Sequence, residues 1–323
     1  MIDYSAVNIR TWSMAGASGT FGVAAYEMAK TDPDFAVVTS DLCFFSGLDH
    51  VFNDFPEKIY NVGIAEQNMI GIAAGMAKEG MHVWATTYAS FATTRDLDQV
   101  KVNMGYMKLP IRLVGLTAGF SVGILGATHM AVEDIAIMRV IPNITILSPA
   151  DCHETMKLIM EASKMDKPIY LRLSGTMRTP IVYPKRYTIE VGKAIKVISN
   201  SNSYVIIIAT GSMVNESVKA SKMLYERDIY CDVYDMHTIK PLDKEILFGN
   251  LDKKLIVTVE EHSKIGGLGS AVAEVLSGIV NTPKQLCIGI DDEYPHAASY
   301  EVLLDRCGLT AKKISETIEE AIV

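Results

Sequence analysis

The chain has 323 residues, 49% apolar and 21% charged, enough for two α/β domains that each bury a core of their own. Its net charge of −8, with basic residues scattered, removes any electrostatic reason to expect nucleic acid or an anionic membrane as partner. No apolar run approaches the roughly 18 residues of a membrane span, and the opening segment lacks the basic-then-apolar pattern of a secretory signal. Cys43, Cys152, Cys231, Cys287 and Cys307 are odd in number with no close pair. That spacing argues against a disulfide framework or a zinc site and leads us to expect a reducing, cytoplasmic setting.

Along the chain, short β-branched runs alternate with longer helical patterns, as in βαβ units around a mainly parallel sheet. FAVVTS (35–40), HVWATT (82–87), IRLVGL (111–116), ITILSP (144–149) and IYLRLS (169–174) read as strands. GTFGVAAYEMAK (19–30), AEQNMIGIAAGMAK (65–78) and DCHETMKLIMEASK (151–164) read as helices packed on that sheet. TMRTPIVYPKRYTIE (176–190) has two prolines and no sustained helical period, so it is read as a linker. A second block follows, with strands YVIIIAT (204–210), CDVYDM (231–236), KLIVTVEE (254–261) and QLCIGID (285–291). The expected fold is α/β in two domains, residues 1–180 and a smaller one over 190–323.

The most informative stretch is NVGIAEQNMIGIAAGMAKEG (61–80). Gly63, Gly71 and Gly75 allow close approach of another surface. Glu66 starts a strongly apolar helix, flanked by Ile64, Ala65, Met69 and Ile70. A carboxylate there loses solvation and is driven toward its neutral form unless a partner satisfies it. Read alone, Glu66 is more often a first-turn acid favoured by the helix dipole.

This segment resembles the glycine-flanked signature of transketolases, deoxyxylulose phosphate synthases and related thiamine-diphosphate enzymes. The likeness continues in order through TYASFATTRDLDQV (87–100), GATHMAVEDIAIMRVIPNITILSPAD (126–151), YDMHTIKPLD (234–243), VEEHSKIGGLGSAVAEVL (259–276) and the tail from Gly289. The order and spacing of these motifs carry it. The resemblance implies a pyrimidine-binding domain followed by a transketolase C-terminal domain, and thiamine diphosphate as cofactor, supplying a carbanion-stabilising ylid. It also implies roles. Glu66 matches the glutamate that activates the pyrimidine ring, a task suited to an acid in an apolar site. Phe91 matches the stacking phenylalanine and Tyr88 a second aromatic of that pocket; without the motif, both could be core residues at helical spacing. Asp41 matches an aspartate near the cofactor, with a loop cap as its alternative. Ile64 and Arg95 join the cofactor-binding set, and His129 matches a histidine near the cofactor and the substrate hydroxyls. His262 is read as structural.

The same resemblance shows what is missing. In the family a separate domain binds the diphosphate and Mg²⁺ through a GDG sequence and a later asparagine, and no GDG occurs here. The expectation is a split enzyme, active only with an N-terminal partner subunit that supplies the Mg²⁺ site, in an α2β2 assembly. The substrate-facing positions also depart from the sugar-phosphate pattern. Thr117 stands for a histidine, Leu125 for an aspartate, Met130 for a glutamine and Gly175 for a phosphate-binding arginine, with Arg172 and Arg178 close enough to substitute and Arg10 near a second such place. A site built on hydrogen bonds discriminates strongly by them, so these exchanges point to ketol transfer with a deoxygenated or otherwise non-standard sugar or 2-oxo compound. The alternatives are the β subunit of a 2-oxoacid dehydrogenase and a catalytically silent assembly subunit. A nucleotide-binding oxidoreductase rests only on IGGLGSAV (265–272), which does not keep the G-x-G-x-x-G spacing.

Overall fold

The computed structural model describes residues 2–322. One sheet contains β1 (Phe35–Thr39), β2 (Ile59–Asn61), β3 (His82–Tyr88), β4 (Arg112–Ala118), β5 (Thr145–Leu147) and β6 (Ile169–Ser174). The second contains β7 (Ile195–Ile198), β8 (Val205–Ala209), β9 (Cys231–Asp235), then, after β10 (Thr238–Lys240), β11 (Leu255–Ser263) and β12 (Lys284–Ile290). β10 leaves its own block and completes the first sheet, whose spatial order is β10-β5-β6-β4-β3-β1-β2; the second runs β12-β11-β8-β9-β7. All pairings are parallel except β10 with β5 and β7 with β9. The architecture is therefore two α/β domains with largely parallel sheets.

Every strand expected from the sequence forms. Those that escaped notice, β2, β7 and β10, each lie at the edge of a sheet. Central strands of a parallel sheet are covered by helices on both faces and so read as unbroken apolar runs. β1, β4, β6, β8 and β9 are buried along their whole length, whereas β2 and β7 are mostly half-buried or exposed.

The helices open with recognisable chemistry. Ser5 caps the Ala6–Thr31 helix by accepting the Asn8 amide, and Asp151 caps Cys152–Ala162 by accepting that of Glu154 at 2.8 Å. The first helix bends at Gly16, where φ is +76° and a Cβ would come within 3.0 Å of the Thr176 carbonyl oxygen. This close approach lays the helix against the residues that follow β6. The stretch 176–190 has no regular structure, yet it is held in place. Asp151 Oδ2 accepts the amides of Val182 and Tyr183 at 2.7 and 2.8 Å, and the Tyr183 hydroxyl donates to Asp235 on β9 at 2.6 Å. The linker is thus mostly exposed but pinned through the buried Tyr183 to both the Cys152–Ala162 helix and β9. Among the described residues no helix is long and apolar enough to cross a membrane, and the cysteines are all free.

Candidate active site

The Glu66–Lys78 helix begins just beyond the edge strand β2, after a turn at Gly63 (φ +73°), and this places Glu66 at its first position. The side chain is only 3% exposed, with Met69 and Ile70 beside it in the core. Its partner is Arg95, whose Nη1 donates to Glu66 Oε1 at 2.7 Å. The condition attached to a desolvated carboxylate is therefore met by an ion pair. The same guanidinium lies over the Phe91 ring, 3.9 Å from its centroid.

Phe91 belongs to an aromatic group at the carboxyl end of β3. Tyr88, the last residue of that strand, meets Phe91 edge-on at 5.7 Å and His129 at 5.7 Å, and Phe91 meets His129 at 5.3 Å. The fourth member, Phe45, contacts Tyr88 at 5.1 Å. Burial pushes the Tyr88 phenol up from its ordinary pKa. The Nδ1 of His129 is engaged by Thr128 Oγ1 at 2.9 Å, which leaves Nε2 to meet another molecule.

Asp41 lies in the loop after β1 with φ +59°, and Asn61 holds it there. Asn61 Nδ2 donates to Asp41 Oδ1 at 3.1 Å, while Asn61 Oδ1 accepts the amides of Asp41 and Gly63, both at 3.0 Å. Asp41, Ile64 and Glu66 thus come from one loop cluster at the carboxyl ends of β1 and β2, the end where open parallel sheets take ligands. Ile64 is 77% exposed. Adjacent is a cavity of about 410 Å³, whose wall includes Ser18, Phe44, Phe45, Thr117, Gly175 and Met177. Thr117 is a β-branched residue at φ +54°, buried, with no hydrogen-bond partner for Oγ1. Backbone strain and an unsatisfied hydroxyl thus coincide at one cavity wall.

Two expectations require correction. Arg172 does not face the cavity. It is 1% exposed, its Nε donates to Asp134 Oδ2 at 2.8 Å, and its Nη2 donates to the carbonyls of Ala131 and Glu261 at 3.2 and 2.9 Å. Its Nε and Nη2 join β6 to the Asp134–Val140 helix and to β11, so these groups are turned into the core and not toward the cavity. Met130, taken to stand in a substrate-facing place, is fully buried in the core instead. Leu125 is half exposed on the Gly123–Leu125 turn, and Arg178 is exposed next to the cavity residue Met177, but neither lines that cavity. Arg10 sits on the outer face of the first helix beside Val7 and Met14. His262 is buried, accepting the Ala136 amide, in keeping with a structural part.

Sequence reasoning missed Phe44, Phe45 and Asp96. The first two form an apolar pair in the loop that follows β1, which was the signal in the sequence, and the structure leaves them 68% and 48% exposed. Asp96 is fully buried with no partner for either oxygen, and burial chiefly, together with the charge of Glu66, raises its pKa well above the carboxylate range. Nothing in TTRDLDQV distinguished it from the exposed Asp98. No cluster of three metal-ligating side chains occurs among the described residues. A buried carboxylate beside an aromatic face, both engaged by the Arg95 guanidinium, is the pair of groups that a flat, nitrogen-bearing half of a cofactor would use.

Comparison with known proteins agrees with this geometry. The transketolase pyrimidine-binding domain matches residues 15–177 and the transketolase C-terminal domain residues 192–314. A putative transketolase C-terminal section from Methanocaldococcus jannaschii is 37% identical over 93% of this chain and 94% of its own length. An apulose-4-phosphate transketolase subunit from Phocaeicola vulgatus is 34% identical, over 96% and 98%. A split-gene transketolase solved as an inactive β4 tetramer superposes with a TM-score of 0.83 at 34% identity, covering 94% of this chain and 97% of that one.

Proposed function

From the premise that this chain belongs to the transketolase family, we propose that it is the pyrimidine-binding and C-terminal subunit of a split, thiamine-diphosphate-dependent transketolase. It transfers a two-carbon ketol unit between non-standard sugars. The observation that carries the reading is the juxtaposition of a buried glutamate, Glu66, with the Tyr88–Phe91–His129 aromatic group at the carboxyl edge of the sheet. The match of nearly the whole chain to a subunit of an apulose-4-phosphate transketolase supports a non-standard sugar, and the likeness to a split-gene protein whose β4 form is inactive supports dependence on a second subunit. That subunit would bring the diphosphate and Mg²⁺ site, in an α2β2 assembly. These likenesses do not favour the 2-oxoacid dehydrogenase reading. The domain boundary is proposed between residues 180 and 190, and the five free cysteines support a cytoplasmic setting.

When bound, the cofactor supplies the carbanion-stabilising centre that no amino-acid side chain offers. The residues of this chain do the rest. Glu66 offers a buried carboxylate oxygen for a hydrogen bond with a nitrogen of the ring. Phe91 and Tyr88 present faces for a flat ring, and Asp41 and Ile64 close the loop beside it. His129 Nε2 is placed to exchange a proton with a substrate hydroxyl, and Thr117 Oγ1 offers a hydrogen bond from the cavity wall. The cavity lined by Phe44 and Phe45 suits the less oxygenated part of a substrate.

The deciding experiment pairs this chain with its co-purified partner, thiamine diphosphate and Mg²⁺, and screens ketose donors. Glu66→Gln is expected to lower kcat by about 10²–10⁴-fold while the melting temperature stays within a few degrees. Full turnover in that variant would refute the assignment, as would substantial activity from wild-type chain without a partner.

A further inference from the structure

Arg95 has an unusual double engagement for a side chain that is 46% exposed. Its Nη1 lies 2.7 Å from Glu66 Oε1, and its Cζ lies 3.9 Å from the centroid of Phe91. A guanidinium is planar, bears N–H donors directed at carboxylates, and stacks on aromatic rings. An aminopyrimidine is also planar, donates through nitrogen to a carboxylate, and stacks. The two groups compete for the same two side chains.

We propose that Arg95 is a removable stand-in for the pyrimidine ring. It pairs with buried Glu66 and covers Phe91 in the cofactor-free chain, then gives up both positions as the ring enters. The inference rests on the reading that Glu66 and Phe91 receive the pyrimidine. Its physical basis is the cost of an unpaired carboxylate in an apolar site. Without a stand-in, Glu66 would be buried alone in every molecule lacking cofactor, with fully buried Asp96 and its unpartnered oxygens nearby. The exchange needs little movement. The Arg95 backbone is held at both ends, its N–H donating to the Phe91 carbonyl at 3.1 Å and its carbonyl accepting from Gln67 Nε2 at 3.1 Å. The long side chain alone has to swing, and it starts from a place already open to solvent.

A stand-in lowers apparent cofactor affinity by the fraction of molecules in which it occupies the site, whereas a permanent clamp raises it. The two roles predict opposite signs. Calorimetric titration of thiamine diphosphate, with Mg²⁺, into the complex of this chain with its partner subunit reads that sign. For Arg95→Gln, Kd is expected to fall about fivefold or more. The cofactor-free melting temperature should fall too, and saturating cofactor should restore it to the wild-type holo value. Arg95→Lys keeps the charge but loses the planar fork, and its Kd should lie between the two; it also serves if Arg95→Gln does not fold. A Kd that is unchanged or raised in these variants overturns the proposal while leaving the cofactor assignment intact. A wild-type complex that assembles but takes up no thiamine diphosphate overturns both.

Discussion

Single side chains at this site do one of two things, and burial with hydrogen bonding tells them apart. Arg172 and Thr117 are both buried near the carboxyl ends of β6 and β4, but Arg172 is engaged through Nε and Nη2 whereas Thr117 Oγ1 has nothing to bond. Removing Arg172 leaves Asp134 buried with the Tyr170 hydroxyl, at 2.7 Å, as its remaining side-chain donor. Breaking such a pair from one side costs about 3–5 kcal/mol, so urea unfolding of Arg172→Met should show a loss of that order. Changing both partners, Arg172→Met with Asp134→Leu, should recover part of it. Thr117→Val is the opposite case. It keeps the β-branched shape and removes a hydroxyl that is unsatisfied in the free chain, so thermal unfolding should be unchanged or slightly later. If the hydroxyl binds substrate, kcat/KM should drop about tenfold, the worth of one hydrogen bond near 1–1.5 kcal/mol. Unaltered kcat/KM would take Thr117 out of the substrate site. Glu66 and the aromatic pair were legible as residues because they carry a motif. Arg172 was misread because proximity in sequence to a cavity residue says nothing about which way a strand side chain points.

At the scale of elements, the cavity beside the site is where the first helix, the loop after β1 and the segment after β6 converge. Two glycine contacts fix that convergence. Gly16 permits the bend toward Thr176, and at Gly22 the helix touches the Gly47 backbone so closely that a Cβ would stand 1.9 Å from its carbonyl oxygen. Neither backbone can yield without moving the loop that carries Phe44 and Phe45. Gly22→Ala is therefore expected to destabilise the chain by about 1–3 kcal/mol through overpacking. Because the displaced loop walls the cavity, KM should rise more than kcat falls. A variant as stable as wild type with normal KM would show that the helix and loop can separate freely. β10 is the other element with consequences beyond its length. It pairs with β5 across the two blocks, and Lys240 at its end donates to the Arg139 and Ile141 carbonyls at 2.9 and 2.5 Å, completing the end of the Asp134–Val140 helix. No local pattern in three residues announces such a crossing; it depends on which edge is left open.

Across the whole molecule, the two sheets are joined by apolar clusters that draw buried residues from both and, beside them, by a group of buried polar side chains. Glu154, Asp235, Asp151, Tyr183 and Tyr187 meet where the Cys152–Ala162 helix, β9 and the linker come together. Burial is the main cause that pushes both Glu154 and Asp235 up, Asp235 to about 7. A carboxyl whose proton is held more tightly when folded makes the folded chain the better proton binder between the ordinary carboxylate range and about 7. Stability is then lost as pH rises through that window. Melting temperatures from pH 5 to about 7.5 should fall with pH for this reason, and Asp235→Asn, which cannot ionise, should flatten the slope. An equal slope in the variant would place the titration elsewhere. Buried Tyr183, donating to Asp235, makes the linker a member of this junction and explains how a segment without regular structure holds two domains in register.

The order of central strands and helices, the α/β class and the family likeness were all determined by the sequence alone. Each depends on a local signal: an apolar run, a helical period, a glycine-flanked glutamate. The edge strands β2, β7 and β10, the buried engagement of Arg172, the isolation of Asp96 and the meeting of Arg95 with both Glu66 and Phe91 were decided only by tertiary structure. These are properties of pairs brought together from distant or differently oriented segments, and burial, which sets the energy of each charge, exists only once the chain has closed around it.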